Sequence, residues 1–366
     1  MDRGAYAEFG KHFVIGLQPS PDLTDHDKRV LSALKPAGVI LFRANFEHGA
    51  AYDAWLARYE RLIGDVALCL ETSHFLLAID HEHGRVFRTP APITRFAAAR
   101  QWPSQAAAIG AATAVELRSL GVNVNFAPVV DVVSPGADSP AIGDRSFGDD
   151  PAAVATAALA YIDALQAGGV LACPKHFPGH GDTSVDSHHA LPAVHAPMEV
   201  LRRRELEPFR RVAPHVKLIM TAHIVFDAIE PGVPATLSKR ALTDILRGEL
   251  GYRGAVISDD LGMRAVAPFF ADDAAPTKAI TAGCDLLEIC AAAADTSRAL
   301  EMASAVARHA RDPGAPAALA QSRARVDDFL AGLGPISVRR LAEDVFARHA
   351  RLAPLHQGAA PSPSPD

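Results

Sequence analysis

The chain has 366 residues, of which 49% are apolar and 21% charged. This composition is typical of a folded globular protein and excludes a disordered or collagen-like chain. At about 150 residues per domain, the length allows two ordinary domains or one large α/β barrel. The net charge is −6, from 36 basic and 42 acidic side chains. A protein with this charge is not expected to bind nucleic acid or an anionic membrane.

Targeting and redox signals point to a cytoplasmic protein. No apolar run approaches the roughly 18–20 residues of a membrane helix, and the apolar stretch at residues 13–17 is too short for the core of a signal peptide. The four cysteines, Cys69, Cys173, Cys284 and Cys290, form no CxxC pair. This usage favours free thiols over disulfides or a zinc site.

Eight short apolar segments predict the strands. They are rich in Val, Ile, Leu and Phe and show little strict alternation, which is typical of strands buried on both faces of a parallel sheet. The predicted strands are residues 13–17, 38–42, 75–80, 122–128, 170–177, 216–224, 254–260 and 284–290.

Amphipathic or alanine-rich segments between the strands predict the helices. Thr24 is suited to cap the first helix, and Gly168 and Gly169 are suited to end the fourth. The predicted helices are residues 25–34, 51–62, 103–120, 150–167, 199–212, 238–250, 274–282, 295–311, 315–331 and 338–350. About eight strand–helix units favour a (β/α)8 barrel of the TIM type, with a doubly wound open sheet as the alternative.

The domain organisation follows from the same pattern. No linker separates two domains, so residues 1–355 are expected to form one barrel domain with additional C-terminal helices. Residues 356–366 are rich in Pro and Ser and are expected to be a disordered tail, because they can bury too little apolar surface to offset their ordering entropy.

Polar and ionisable residues follow five of the predicted strands. In a parallel barrel, functional residues gather just past the carboxyl ends of the strands, so these segments are expected to converge on one polar-ligand site. The segments are residues 80–88, residues 131–147, residues 175–189, residues 221–223 and residues 258–260.

The segment 175–189 contains four histidines, two aspartates and a lysine. Three interpretations stay open: a solvated loop, a metal site built on His176, His180 and His188, and acid–base catalysis by a histidine that an aspartate orients. Pro178 argues against a helical HxxxH metal motif. Asp186 and His188 are close enough to hydrogen-bond across a tight turn, and the carboxylate would raise the pKa of the imidazole above about 6.5, leaving a proton to donate near neutrality.

The sequence Ser258-Asp259-Asp260 ends a strong predicted strand. A carboxylate at the rim of a barrel can bind a metal, bind sugar hydroxyls or act as a nucleophile. Alternation along the strand places Asp259 and Asp260 on opposite faces, and the spacing alone leaves open which of them faces the site.

Together these loops resemble those of family 3 glycoside hydrolases and, more narrowly, those of the single-domain bacterial β-N-acetylglucosaminidases of cell-wall recycling. KHFPGHG followed by DSH is the most specific part of the resemblance. The segments that carry it, in family order, are GVILF at 38–42, DHEHGRVFR at 80–88, NVNFAPVVDV at 123–132, IGDRSF at 142–147, KHFPGHGDTSVDSH at 175–188, MTAH at 220–223 and VISDDLGM at 256–263.

The resemblance implies a barrel that releases terminal β-linked N-acetylglucosamine from muropeptides with retention of configuration. It selects Asp259 as the nucleophile that forms a glycosyl-enzyme. The usual retaining pair is two carboxylates about 5–5.5 Å apart; in this subfamily, a dyad that corresponds to His188 and Asp186 serves as the acid/base. His180 and Asp182 are expected to shape the loop.

The resemblance also implies the substrate contacts and the partners. Asp80, Arg88, Arg145, Lys175 and His176 are expected to bind sugar hydroxyls through charged hydrogen bonds. The implied partner is a small carbohydrate, either a muropeptide or a chitobiose-like sugar. No metal and no cofactor is expected. Neither nucleic acid nor a membrane is an expected partner. The chain is expected to be a monomer.

Four positions depart from the family pattern. DHEHGRVFR stands where the pattern is DQEGGRVQR, which introduces His81, His83 and Phe87, and DLGM stands for DLSM, which introduces Gly262. These departures keep alternatives open: a sugar-binding or regulatory barrel without catalysis, a β-glucosidase-like preference, or transfer to phosphate in place of water. A metal-dependent hydrolase that uses the His-rich loop is a further alternative.

Overall fold

The structure is a computed structural model that describes residues 8–136, 139–183, 191–290 and 295–356. Eight of its ten strands belong to one barrel, and β6 and β8 pair in parallel in a small separate sheet. The strands are β1 Phe13–Gly16, β2 Gly38–Leu41, β3 Leu76–Ile79, β4 Val124–Asn125, β5 Leu171–Ala172, β6 Ala193–Val194, β7 Leu218–Thr221, β8 Val225–Phe226, β9 Ala255–Ser258 and β10 Leu287–Ile289.

The barrel is closed by parallel pairing alone. Six strands form one ladder in the order β10-β1-β2-β3-β4-β5, and β7 pairs with β9. A parallel bridge between Phe177 and Thr221 joins β5 to β7, and another between Ile257 and Leu286 joins β9 to β10. The (β/α)8 barrel expected from the sequence is therefore confirmed, and the open doubly wound sheet is wrong.

All eight predicted barrel strands are present, but several are shorter than predicted. The ladders of β4 and β5 are only two residues long. Pro128 and Pro174 follow them closely and have no N–H to donate to a ladder. The two-residue strands β6 and β8 lie outside the predicted set, because a pair of residues carries no periodic signal.

The helices alternate with the strands and pack outside the barrel. The α-helices are Asp25–Leu34, Tyr52–Leu70, Ala106–Ser119, Pro151–Ala167, Met198–Arg203, Leu206–Val212, Ala275–Ala282, Arg298–His309, Ala315–Ala331 and Glu343–His349, and Arg240–Glu249 is wound as a π-helix. The first begins with a capping box in which Thr24 accepts from Asp27 N and Asp27 accepts from Thr24 N, which confirms the predicted cap.

Three predicted helix boundaries are wrong. The helix expected at 51–62 continues to Leu70, because its buried face runs on through Val66 and Leu70 across Gly64. The helix expected at 199–212 is interrupted after Arg203, where the next two residues bind a neighbouring loop. The helix expected at 338–350 covers only Glu343–His349.

The barrel interior is apolar except at its carboxyl-terminal end. The inward side chains of the strands form one buried cluster, and a second, larger cluster fills the space between strands and helices. Members of the inner cluster include Val14, Ile40, Ala78, Phe126, Cys173, Met220 and Ile257. The polar side chains that follow the strands begin directly above this cluster.

The C-terminal segment closes back on the loop that follows β3. Ala97 N donates to Pro354 O at 2.8 Å and His356 N donates to Arg95 O at 3.1 Å. The remainder of the predicted tail, residues 357–366, lies outside the described residues. Among the helices that the structure describes, none has both the length and the apolar character needed to span a bilayer.

Candidate active site

The site is built around Lys175, which follows β5. Its Nζ lies 2.6 Å from Asp80 Oδ1 and 2.6 Å from Glu82 Oε1. Burial alone would lower the pKa of this amine, but the two carboxylates outweigh burial and raise that pKa above its usual range. Lys175 is therefore a permanent cation that joins the loops after β3 and β5.

Glu82 is a central residue of the site to which the sequence analysis assigned no role. The Arg145 guanidinium donates to it twice, from Nε at 2.7 Å and from Nη2 at 2.8 Å. Burial tends to raise the pKa of Glu82, and the adjacent Arg145 and Lys175 hold it below its usual range. The sugar contacts expected from the sequence include three cations, Arg88, Arg145 and Lys175, beside one carboxylate, Asp80. That imbalance of charge was the available signal for Glu82.

Arg88 lies on the other side of Asp80. Its Nη2 is 3.9 Å from Asp80 Oδ2, and its guanidinium lies over the Phe42 ring, 5.4 Å from the centroid. Phe42 directly follows β2, so the carboxyl ends of the neighbouring strands β2 and β3 meet here. All five side chains expected to contact a sugar, namely Asp80, Arg88, Arg145, Lys175 and His176, follow strands at this end of the barrel.

His176 is held by Asp131, a second residue without an assigned role in the sequence analysis. The Nδ1 atom of His176 lies 2.7 Å from Asp131 Oδ2, and Asp131 Oδ1 accepts from the backbone N–H groups of His176 and His180. Asp131 is fully buried and His176 is nearly so. An Nδ1–H that donates to a carboxylate fixes the ring orientation and leaves Nε2 to face the site.

The first part of the loop that follows β5 is well anchored. The ring of His180 binds Thr183 Oγ1 at 2.7 Å, and burial lowers the pKa of His180 to about 4. Asp182 accepts from Arg204 Nη2 at 2.8 Å, and Arg204 also binds Glu205. His180 is thus held within the loop by Thr183, and Asp182 ties the loop to Arg204. The predicted acid/base pair, Asp186 and His188, lies outside the described residues.

The two aspartates after β9 have different environments. Asp260 Oδ1 accepts from Gly262 N and Cys290 N, so this carboxylate holds the turn after β9. Asp259 Oδ1 accepts from Asp260 N at 2.9 Å. Within the described ranges, no hydrogen bond is found to the other oxygen of Asp259, which leaves that oxygen available to a ligand.

Charge around Asp259 keeps it ionised. Burial raises its pKa, but His176 and His223 outweigh burial, together with the Asp260 N–H, and the pKa of Asp259 falls below its ordinary value. His223 follows β7; its ring binds Thr236 Oγ1 at 2.9 Å and Asp260 O at 3.1 Å. Asp259 is thus a carboxylate anion close to His176.

The three aromatic residues that depart from the family pattern, His81, His83 and Phe87, pack against one another. His81 and His83 are 1% and 3% exposed, and their rings meet at 4.9 Å in a T-shaped contact. Phe87 lies 4.5 Å from the His81 ring, and His83 also contacts Phe96 and binds Thr113 Oγ1 at 2.9 Å. His83, which stands where the family pattern has glycine, is therefore buried in this aromatic cluster.

Across residues 8–136, 139–183, 191–290 and 295–356, no group of three His, Cys, Asp or Glu side chains is arranged to hold a metal ion. His180, one of the three histidines of the metal interpretation, binds Thr183, and His176 binds Asp131. Their side chains therefore have protein partners, and the third histidine, His188, lies outside these ranges.

Comparison with known proteins gives the family. A model of the glycosyl hydrolase family 3 N-terminal domain matches residues 14–326. A β-hexosaminidase from Alkalilimnicola ehrlichii is 37% identical over 303 residues, which cover 80% of this chain and 82% of the relative.

Solved structures give the same result. A family 3 β-N-acetylglucosaminidase from Paenibacillus sp. has a TM-score of 0.81 at 30% identity, covering 94% of this chain and 68% of that one. NagZ from Neisseria gonorrhoeae, in complex with N-trifluoroacetyl-D-glucosamine, has a TM-score of 0.69 at 28% identity, covering 86% of this chain and 98% of that one. The chain therefore belongs to glycoside hydrolase family 3 and is a glycoside hydrolase with a TIM-type barrel.

Proposed function

We propose that the protein is a retaining exo-β-N-acetylglucosaminidase in which Asp259 is the nucleophile. The observation that carries the proposal is the state of Asp259: an ionised carboxylate at the rim of the barrel, with one oxygen fixed by Asp260 N and the other without a hydrogen bond among the described residues. The names of the relatives, β-hexosaminidase and β-N-acetylglucosaminidase, support N-acetylglucosamine as the sugar.

The chemistry proceeds in two displacements. The free oxygen of Asp259 attacks the anomeric carbon, the bond from that carbon to the leaving oxygen breaks, and the acid/base donates a proton to the leaving oxygen. Water then attacks the anomeric carbon of the glycosyl-enzyme, gives its proton to the same acid/base and returns the electron pair to Asp259. We assign the acid/base to His188, oriented by Asp186, on the strength of the DSH motif.

The binding residues retain donors for a sugar. Lys175 has three N–H groups, and among the described residues Asp80 and Glu82 take two of them. Arg145 has five, and in the same part of the chain the two bonds to Glu82 and one to Ala141 O take three. We propose that these donors, with Asp80, Arg88 and His176, hold the sugar hydroxyls.

We further propose muropeptides as the natural substrate, hydrolysed by a cytoplasmic enzyme whose residues 1–355 form a single domain. The structural relative with N-trifluoroacetyl-D-glucosamine supports a 2-acylamido sugar. Hydrolysis of a N-acetylglucosaminyl-anhydromuramyl peptide, compared with hydrolysis of chitobiose, tests the natural substrate; equal rates would contradict a muropeptide preference.

The central experiment traps the nucleophile. Incubation with a 2-fluoro or 5-fluoro sugar inactivator, followed by peptide mass mapping, should label Asp259. Asp259→Asn should lower kcat by at least about 10³-fold, while the matched surface variant Glu71→Gln should retain full activity. A label on another residue, or turnover without any label, would contradict the mechanism.

A second set of assays tests sugar and acceptor. We expect hydrolysis of 4-nitrophenyl N-acetylglucosaminide to exceed that of the glucoside and the xyloside. Phosphate should neither accelerate the reaction nor yield a sugar 1-phosphate, and EDTA should leave the rate unchanged. A faster glucoside reaction, a sugar 1-phosphate product, or loss of activity with EDTA would each replace the corresponding part of the proposal.

A further inference from the structure

Glu288 lies beside the proposed nucleophile on the neighbouring strand. The bridge between Ile257 and Leu286 sets the register of β9 and β10, and two residues further along these strands come Asp259 and Glu288. Glu288 N donates to Ser258 Oγ at 2.9 Å, which ties the two positions together. Since Ile257 and Leu286 both belong to the inner cluster, alternation directs Asp259 and Glu288 to the barrel interior as well.

The Glu288 carboxyl is buried and only half satisfied. The residue is 3% exposed. Its Oε1 accepts from Cys290 Sγ at 3.1 Å, whereas its Oε2 is buried without a hydrogen-bond partner. An ionised carboxylate in such a place would be strongly destabilised unless a cation or several donors compensated it.

The groups around Glu288 make ionisation still less favourable. Lys175, the cation in this part of the site, is already paired with Asp80 and Glu82. On the other side of β10, β1 places Val14 beside Glu288. Within the part of the chain that the structure describes, the titratable groups that act most strongly on the Glu288 carboxyl are acids: Asp80 after β3, Cys173 after β5, Asp259 and Asp260 after β9, and Cys290 after β10.

Burial first, and then repulsion by Asp80, Asp259 and Asp260, raises the pKa of Glu288 well above its ordinary value. Glu288 therefore favours its protonated form, whereas the neighbouring Asp259 favours its anion. Carboxyl groups that share a site commonly divide their protons in this way, and the geometry assigns the proton to the most buried member.

We propose that Glu288 is a positioning residue of the active site: a carboxylic acid that stays protonated and supplies a hydrogen-bond donor to the carboxylates Asp80 and Asp259. Its Oε2 is free of protein partners within the described ranges, and the terminal torsion of glutamate turns at little energetic cost. Its single O–H donates to one of these carboxylates at a time, and a neutral donor does not cancel the negative charge that Asp259 needs. The inference rests on the proposed role of Asp259.

Infrared difference spectroscopy tests the protonation state directly. The wild-type spectrum minus that of Glu288→Gln at pH 7 should show the carbonyl band of a protonated carboxylic acid. The matched control Glu71→Gln, which removes an exposed glutamate 78% accessible to solvent, should show only carboxylate bands. Absence of the acid band for Glu288 would overturn the proposal.

Coupling to the neighbouring carboxylates is tested by titrating the same band. Asp259→Asn and Asp80→Asn each remove a negative charge that faces Glu288. Each should therefore shift the midpoint at which the acid band disappears to a lower pH, by about one unit or more. Glu71→Gln should leave the midpoint unchanged. A midpoint that moves in neither variant would show that Glu288 does not face these carboxylates.

Activity separates a positioning role from simple packing. Glu288→Gln retains a neutral donor and should keep kcat/KM within about threefold of the wild type. Glu288→Leu has a similar size without a donor and should lose about tenfold or more. Equal kcat/KM in the two variants would overturn the proposal. A wild type that fails to hydrolyse the N-acetylglucosaminide would instead contradict the proposed function and leave the infrared result standing.

Discussion

The buried histidines His81 and His83 should make a contribution to stability that is lost as the pH falls from 7.5 to 5. Burial, together with Arg88 and Arg95, lowers the pKa of His81 to about 3, and burial lowers that of His83 well below 6.5. Above pH 6.5 both rings are neutral in the folded and the unfolded chain. Below pH 6.5 only the unfolded chain takes up protons, so the free energy of unfolding falls as the pH falls.

The magnitude for His81 alone follows from its two pKa values. With 6.5 in the unfolded chain and about 3 in the folded protein, linkage gives a loss of about 2 kcal/mol between pH 7.5 and pH 5. Other groups also contribute between pH 7.5 and pH 5, and Glu288, whose pKa is raised, contributes in the opposite direction. These contributions are common to the wild type and a His81 variant, so comparing the two isolates His81. His83 shifts in the same direction and adds to the loss.

The measurement is urea unfolding followed by circular dichroism at pH 7.5 and pH 5. His81→Gln should lose about 2 kcal/mol less than the wild type between the two pH values. The backbone of residue 81 is held by Asn125, which accepts from His81 N and donates to His81 O, both at 3.0 Å, so the substitution leaves that contact in place. The exposed His74 provides the control: His74→Gln should behave like the wild type. Equal losses in the wild type and His81→Gln would refute the reasoning.

Two further substitutions test the ion pairs of the site. Glu82→Gln leaves Arg145 without its carboxylate partner and Lys175 with only one. We expect this variant to lose about 3–5 kcal/mol of stability in urea unfolding and to have a higher KM. An unchanged KM would contradict a binding role for these ion pairs. In Asp131→Asn, the amide cannot accept from both His176 Nδ1–H and the backbone N–H groups, so kcat/KM should fall by about 10- to 100-fold. The measurement is steady-state kinetics at several pH values. A pH profile of kcat/KM that matches the wild type would contradict this role of Asp131.

The sequence predicted the barrel well because each strand is a continuous apolar run and each helix has a periodic face. It predicted less about where regular structure stops. The ladder of β5 ends before Pro174, and the helix that begins at Met198 breaks where Arg204 binds Asp182. Such ends depend on contacts between distant segments, and local pattern contains no information on them. The capping residue Thr24 could be predicted because its partner lies three residues away.

The site shows the same division between local and distant information. Position after a strand was enough to place Asp80, Lys175 and the pair Asp259 and Asp260 at one end of the barrel. The resemblance to the family was needed to select Asp259 from that pair. The partners Glu82 and Asp131 differ from these residues only in what they touch, and their partners lie 63 and 45 residues away in sequence.

Charge balance could have narrowed the search for these partners. The five expected sugar contacts include three cations, Arg88, Arg145 and Lys175, but a single carboxylate, Asp80, and this imbalance calls for another anion nearby. Glu82 was the nearest candidate in sequence, two residues after Asp80 on the same loop. The opposite imbalance appears one strand beyond Asp259, where Glu288 adds a third carboxyl group without a cation. The excess of cations around Asp80 is balanced by the ion pairs of Glu82. The excess of carboxyl groups around Asp259 is balanced by a proton that Glu288 retains. A neutral Glu288 in turn allows Asp259 to act as an anion.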